Sequence, residues 1–299
     1  MSVPRDHHFI PAFYLSQWTG LDDKLVEYTK KRGKLIPKPV GPSSTGYETD
    51  LYKFPDLPSA SAQYLEQVFF NYADDVASRA YKIHLGSGEA WNSELLSAWS
   101  RFVIGIHLRH PDAMPELRTA AQALWSASSA ESQVEYEKLR KPEDPELFDD
   151  YLGMIDPYAA AKIRVNLIIK SFDNDIAGTH INGMRQAVVD VSSSPGRFLT
   201  SDRPVWFFNV TAQDGFLSLP LSPTRLFIAA NEEEIFEKMR RSKPLDIVFR
   251  VNSFVAARAR RFVWAQDRLQ EQFIGKMMST KLEPTPLFPT LSQYGLPAV

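Results

Sequence analysis

Residues 198–209 have the sequence FLTSDRPVWFFN, in which two short apolar runs flank the polar residues 201–204. Aromatic and β-branched residues on either side of a turn sequence are typical of two strands with a tight connection between them. Asp202 can bond to its own backbone in such a turn, and Pro204 fixes the backbone that leaves it. The segment therefore predicts β-structure in the last third of the chain.

Similar short runs surround this segment, at 186–191, 216–219 and 226–229, and Ser, Gly and Pro residues separate them. They predict strands of one antiparallel or mixed sheet. Near the other end of the chain, residues 25–29 and 34–37 flank a turn that contains Gly33, which predicts a β-hairpin.

The middle of the chain has the three- and four-residue periodicity of amphipathic helices. Helices are predicted over 64–83, from the capping residue Asn92 to Pro111, and over 157–177, with shorter ones near the C-terminus. Weaker helical signals follow Pro111, around 117–125 and 134–139, and a flexible loop is predicted near 126–150. The order of elements predicts one α+β domain over 1–299, in which β-rich N- and C-terminal parts share a mixed or antiparallel sheet.

Composition excludes several classes of protein. The chain has 299 residues, 44% of them hydrophobic, and 34 basic against 36 acidic residues, so no global positive charge favours nucleic acid. The absence of cysteine removes disulfides and thiolate chemistry and is typical of a reducing compartment. No apolar run approaches the roughly 20 residues of a membrane helix. We therefore expect a cytoplasmic protein without a membrane partner.

The common sequence motifs of nucleotide loops, nucleophile elbows and zinc proteases are not present in the chain. Six histidines remain as candidates for acid–base or metal chemistry. His107 lies on the apolar side of its predicted helix, which favours a core position. Three others lie near predicted helix ends and are expected at the surface or in caps: His84, His110 and His180.

His7 and His8 precede an aromatic-rich run that continues to Trp18 and predicts a buried N-terminal segment. Adjacent side chains on an extended backbone point in opposite directions, so only one of the two imidazoles can face a given pocket. Two roles stay open for that imidazole. One is a hydrogen bond that fixes the entering strand, and the other is metal binding or acid–base chemistry.

Arg109 shares a helix stripe with Arg101 and Gly105, and the small glycine leaves room for an anion or a carboxylate partner. Because Arg109 ends an apolar helix just before Pro111, we predict that it is buried and paired with a carboxylate. Asp202 has two open roles: a structural turn residue, or a metal ligand or general base at a strand end.

Six ordered segments form a more specific pattern than any one of them: HHFIPAFYL at 7–15, LRHP at 108–111, FLTSDRPV at 198–205, PLSP at 220–223, VNS at 251–253 and ARRFV at 259–263. Together they resemble the mostly bacterial domain of unknown function family numbered 4238. The resemblance implies no established activity or cofactor. It does imply a set of recurring polar positions, with Arg203 where the family pattern often has Asn: His7 or His8, Arg109, Ser201, Asp202 and Asn252.

Two functions are compatible with these residues. The first is a bacterial hydrolase or nuclease-like enzyme in which Asp202, with His7 or His8, binds a divalent metal or acts as general base while Arg109 holds an anionic substrate. The second is a non-catalytic protein of a stress or defence system that binds a ligand or partner through the aromatic segments 13–18 and 206–208. A small molecule and a local nucleic-acid contact both remain open as partners. Ser201 and Asn252 are predicted binding residues in either case.

Overall fold

The computed structural model describes residues 5–58 and 64–279. The strands are β1 (Asp6–His8), β2 (Leu25–Lys31), β3 (Lys34–Val40), β4 (Tyr47–Thr49), β5 (Arg185–Asp190), β6 (Thr200–Ser201), β7 (Trp206–Phe208), β8 (Phe216–Ser222), β9 (Arg225–Ala230) and β10 (Val263–Ala265). The α-helices are α1 (Ala12–Leu15), α2 (Asn71–His84), α3 (Ser93–Leu108), α4 (Ala113–Leu139), α5 (Phe148–Ile155), α6 (Ala159–Phe172), α7 (Asp175–Gly183), α8 (Glu233–Arg241), α9 (Pro244–Arg258) and α10 (Glu271–Met277). A π-helical segment, Leu65–Phe70, leads into α2.

The strands form three antiparallel sheets with the orders β1-β4, β3-β2-β10-β6 and β5-β9-β8-β7. In the second of these sheets Val263 lies opposite Tyr28 on one side and Ser201 on the other. The N-terminal hairpin and two C-terminal strands therefore share a sheet, and the helices lie between them in the chain. This confirms the predicted α+β class. The prediction that the C-terminal strands form one sheet is wrong, because β6 pairs with β10 instead of its sequence neighbours.

The predicted hairpin is β2–β3, with Lys31 paired to Lys34. The two residues of its turn, Arg32 and Gly33, have φ angles of 49° and 78°. A two-residue turn with both φ values positive matches the right-handed twist of the flanking strands, and glycine adopts such a φ without strain.

The N-terminal segment is buried against the C-terminal strands, as the sequence predicts. The Tyr14 hydroxyl donates to the carbonyl of Pro220 at 2.8 Å, and the Trp18 indole N–H donates to the carbonyl of Phe198 at 2.9 Å. Both aromatic side chains have no exposed surface. Because their polar atoms are satisfied, these large side chains can be buried without an unpaired donor.

The helical middle differs from the prediction in two places. The helix expected over 157–177 is interrupted, and the Asn174 side chain accepts from the Ala177 N–H at 2.8 Å to cap α7. The segment near 126–150, expected to be a flexible loop, contains the second half of α4, a turn and α5. Residues 126–139 are rich in good helix formers but have little apolar periodicity, which explains the weak signal. The Tyr136 hydroxyl donates to the carbonyl of Pro145 at 2.7 Å and holds this turn against α4.

Within residues 5–58 and 64–279, no helix is both long enough and apolar enough to cross a membrane.

Candidate functional site

Asp202 ties the turn after β6 to the connection between α9 and β10. Its carboxylate is buried and accepts backbone N–H groups from Arg260 at 2.9 Å, Arg261 at 2.6 Å and Phe262 at 3.3 Å. Its own N–H donates to the Phe262 carbonyl at 3.1 Å, and the Ser201 hydroxyl oxygen accepts the N–H of Arg203, also at 3.1 Å. A carboxylate that accepts several backbone N–H groups has little capacity left for a metal or a substrate.

His110 follows α3 and lies beneath the N-terminal segment. Its Nδ1 accepts the Asp112 N–H at 3.1 Å, so the neutral imidazole carries its proton on Nε2. Nε2 lies 3.6 Å from Asp202 Oδ2, and the Phe9 ring packs edge-on against the imidazole. The sequence predicts His110 at the surface or in a cap. The surface position is wrong, because only 2% of His110 is exposed. With Nδ1 occupied, His110 has no free lone pair for proton abstraction.

Arginines converge on the side chain of Asp112. Its Oδ2 lies 2.9 Å from Arg260 Nε and accepts from Arg203 Nη2 at 3.4 Å. Burial lowers the pKa of Arg203 most, and the positive charges of Arg260 and Arg258 lower it further. The Arg258 guanidinium carbon lies 5.0 Å from the centre of the Phe254 ring, a cation–π contact. We call Asp112, Arg203, Arg258 and Arg260 the arginine cluster.

The arginine cluster has more positive than negative charge. Asp112 forms close ion pairs with Arg203 and Arg260. The second carboxylate nearby, that of Asp202, accepts hydrogen bonds from backbone N–H groups instead. Within the part of the chain that the structure describes, Arg258 Nε is buried without a hydrogen-bond partner. The neighbouring His107 stays neutral, because burial lowers its pKa to about 3 and Arg258 adds to the effect. The cluster therefore presents guanidinium donors that its own carboxylates do not satisfy.

Arg109 belongs to a second group of charges beside the cluster. Its Nη1 lies 2.7 Å from Asp74 Oδ1 and donates to Oδ2 at 2.9 Å, while the guanidinium carbon lies 4.1 Å from the centre of the Phe70 ring. The side chain is 3% exposed, which confirms the predicted buried pair with a carboxylate. Burial raises the pKa of Asp74, and Arg109 opposes that shift.

The two N-terminal histidines have different partners. His7 is fully buried, its Nδ1 accepts the Tyr52 N–H at 2.9 Å, and the two rings stack with centroids 5.4 Å apart. Burial lowers the pKa of His8, while a hydrogen bond to the Ser43 backbone and the charge of Asp74 oppose the shift. Among residues 5–58 and 64–279, His8 Nε2 has no hydrogen-bond partner. His8, unlike His7, thus has a free ring nitrogen.

Asn252 lies elsewhere, on α9 beneath the segment that leads into β6. Its side-chain oxygen accepts the Leu199 N–H at 2.8 Å, and its amide nitrogen donates to the carbonyl of Arg197 at 2.8 Å and to Gln270 Oε1 at 2.9 Å. The amide is buried and fully used in fastening these segments. No ligand contact is needed to explain this residue.

The fold brings most of the sequence-predicted residues to one region, in two adjacent groups. His7, His8 and Arg109 meet around Tyr52, whose hydroxyl lies 3.2 Å from the Arg109 carbonyl oxygen and 3.3 Å from that of His8. Ser201 and Asp202 lie at the arginine cluster, next to His110. The sequence did not single out three partners that complete these groups, Asp74, Asp112 and Arg260, and it favoured His110 at the surface or in a cap.

In the described ranges, no group of three or more His, Asp or Glu side chains is arranged to hold a metal ion.

The architecture is that of an α+β protein in which charged side chains from three distant segments, at Asp112, Arg203 and Arg260, meet. Residues 6–268 match the family model described as "Protein of unknown function (DUF4238)", and the chain belongs to that family. No curated protein and no solved structure matches the chain.

Proposed function

We propose that the protein binds a small phosphate-bearing ligand at the arginine cluster. The observation that carries this proposal is that Arg203 and Arg260 converge on Asp112, with the positive charge of Arg258 close to Arg203. Guanidinium groups match phosphate oxygens in pairs of charge-assisted hydrogen bonds, so several of them can hold one phosphate. Of the two functions that the sequence leaves open, this is ligand binding, with charged side chains in place of the aromatic segments expected from the sequence.

These arginines are largely buried, so donors without an acceptor are costly. The side chains of Arg203 and Arg260 are 13% and 14% exposed, so both cations have lost most of their contact with water. Desolvated charges are costly unless they are paired and hydrogen-bonded. The Asp112 side chain is 40% exposed and marks the solvent-facing side of the cluster. A phosphate that enters there would supply the acceptors that the cluster lacks.

Calorimetric titration with pyrophosphate tests the proposal. Arg260→Gln should weaken binding at least tenfold, because it removes a guanidinium from the cluster. Arg261→Gln is the matched control: it removes the same charge one residue away, from a 45% exposed side chain whose partner is Glu48. Its affinity should stay within twofold of the wild type. Equal losses in the two variants, or no binding by the wild type, would contradict the proposal.

A hydrolase or nuclease-like enzyme is the second candidate, and His8 favours it. Its lowered pKa keeps the imidazole neutral at pH 7, and Nε2 is free of partners among the described residues. A general base needs such a lone pair. The ion pair of Asp74 and Arg109 lies beside it and would orient a substrate. On this account His8, and not Asp202, removes the proton.

Hydrolysis of bis(p-nitrophenyl) phosphate and of single-stranded DNA, with and without Mg²⁺ or Mn²⁺, tests this candidate. Turnover should be lost in His8→Gln and retained in His180→Gln, since the His180 ring nitrogen is engaged with the Val210 carbonyl at 2.6 Å. No turnover by the wild type, or equal turnover by both variants, would remove His8 as the base. For either function we propose a bacterial, cytoplasmic protein, in keeping with its lack of cysteine.

A further inference from the structure

A cavity of about 320 Å³ lies between the sheet β5-β9-β8-β7 and the helices α8 and α9. Trp206, Phe216 and Ile228 form its wall on the sheet, and Met239 and Val251 form its wall on the helices. Small-molecule sites are typically apolar concavities of about 300–1,000 Å³ with a few polar groups at defined positions. This cavity has the size and the lining of such a site, at the lower end of the range.

Three charged side chains line the cavity, one from the loop between β7 and β8 and two from the helices α8 and α9. Asp214 and Lys238 are two of them, and Lys238 is already paired with Glu234 at 3.0 Å. The third, Arg250, is exposed and forms no ion pair with any described residue. An uncommitted cation at the edge of an apolar cavity favours a ligand that has an apolar body and an anionic end.

The volume limits the apolar body. A liquid water molecule takes roughly 30 Å³, so about 320 Å³ equals roughly ten such volumes. A methylene group is similar in size to a water molecule, so a chain of about ten carbon atoms fits the cavity.

We propose that this cavity binds an amphipathic carboxylate with a medium-length apolar chain, its carboxylate at Arg250 and its chain between Trp206 and Val251. The site is separate from the arginine cluster. Phe254 lies between them, since its ring stacks on Trp206 at 4.4 Å and also contacts the Arg258 guanidinium. The inference does not depend on phosphate binding.

Decanoate and decanol, titrated calorimetrically into the full-length protein, form a matched pair of probes. Wild type should bind decanoate more tightly than decanol. Arg250→Gln should weaken decanoate binding about three- to fivefold, the upper part of the range for an exposed ion pair, and leave decanol unchanged. Arg241→Gln is the charge control, because Arg241 is exposed on α8, pairs with Glu237 and does not line the cavity. Arg203→Gln should leave both affinities unchanged, which separates this site from the arginine cluster.

Ser218→Leu tests the position of the chain, because Ser218 lines the cavity wall and the larger side chain would fill part of it. Decanoate binding should fall at least tenfold. If that variant fails to fold, Val251→Phe fills the cavity from the opposite wall and should have the same effect. Decanoate binding that survives in a folded filled variant, or its absence in the wild type, would overturn the proposal.

Discussion

The Nε2 atom of His110 lies 3.6 Å from Oδ2 of Asp202. The first residue follows α3, and the second belongs to the turn after β6, so this contact joins the helical middle to the C-terminal strands. The Asp202 carboxylate in turn accepts hydrogen bonds from the backbone N–H groups of Arg260 and Arg261, which precede β10. The same arrangement brings Arg203 Nη2 and Arg260 Nε to 3.4 Å and 2.9 Å from Asp112 Oδ2, so the arginine cluster forms where these segments meet.

Asp202→Asn should destabilise the protein by about 3 kcal/mol. The new amide would place N–H groups against the N–H of Arg261 or Arg260, and a buried donor without an acceptor is costly. Urea denaturation measures the loss. Asp22→Asn is the control, since Asp22 is exposed and its turn hydrogen bond to the Lys24 N–H survives with an amide oxygen. An unchanged urea midpoint together with a loss of divalent-metal binding would contradict the structural role and identify Asp202 as a metal ligand.

Arg109→Ala should cost about 3 kcal/mol, because it leaves Asp74 without its cation in a largely desolvated position. The pair is best tested as a double-mutant cycle with Asp74→Ala. The double variant should be more stable than the sum of the single losses predicts, as removal of both charges leaves neither unpaired. Additive losses would show that the two side chains do not depend on each other.

Stability should fall as the pH drops from about 6.5 towards 4, partly because of His84. Burial lowers the pKa of His84 to about 4, and its ring lies 4.4 Å from Trp99 and 4.8 Å from Phe227. In this window the unfolded chain takes up a proton that the folded chain excludes, so each such histidine costs about 1.4 kcal/mol per pH unit.

Urea midpoints of the wild type and of His84→Phe, compared at pH 7 and pH 5, isolate this contribution. The variant should lose about 2 kcal/mol less than the wild type over this interval. Phenylalanine fits the aromatic surroundings and removes the titration. An identical pH dependence of the two proteins would show that His84 ionises normally in the folded state.

Local sequence patterns predicted the helices and strands of this fold better than they predicted which strands pair with each other. The hairpin β2–β3 and the cap of α3 by Asn92 follow from turn and capping chemistry within a few residues. The pairing of β6 with β10 joins residues far apart in the chain, and no short-range signal specifies it. The helix beyond residue 126 gave only a weak signal at 134–139, because helix propensity without apolar periodicity resembles a polar loop.

The candidate site shows the same limit. Burial of Arg109 was predictable from its place at the end of an apolar helix. Its partner Asp74 was not, because a carboxylate on the polar face of a helix normally faces water. Asp112 and Arg260 were also missed, although both lie in or next to segments of the family pattern. Charged pairs between distant segments depend on tertiary structure, and the sequence alone does not specify them.

The affinity of Asp112→Asn for pyrophosphate tests the account most directly. Asp112 occupies the arginine cluster with its own negative charge, so its neutralisation should remove repulsion and free donors of Arg203 and Arg260. Calorimetry should show binding about tenfold tighter than in the wild type, with thermal stability lower without the ligand and restored by it. Binding that is unchanged or weaker in a folded Asp112→Asn protein would contradict phosphate binding at this cluster.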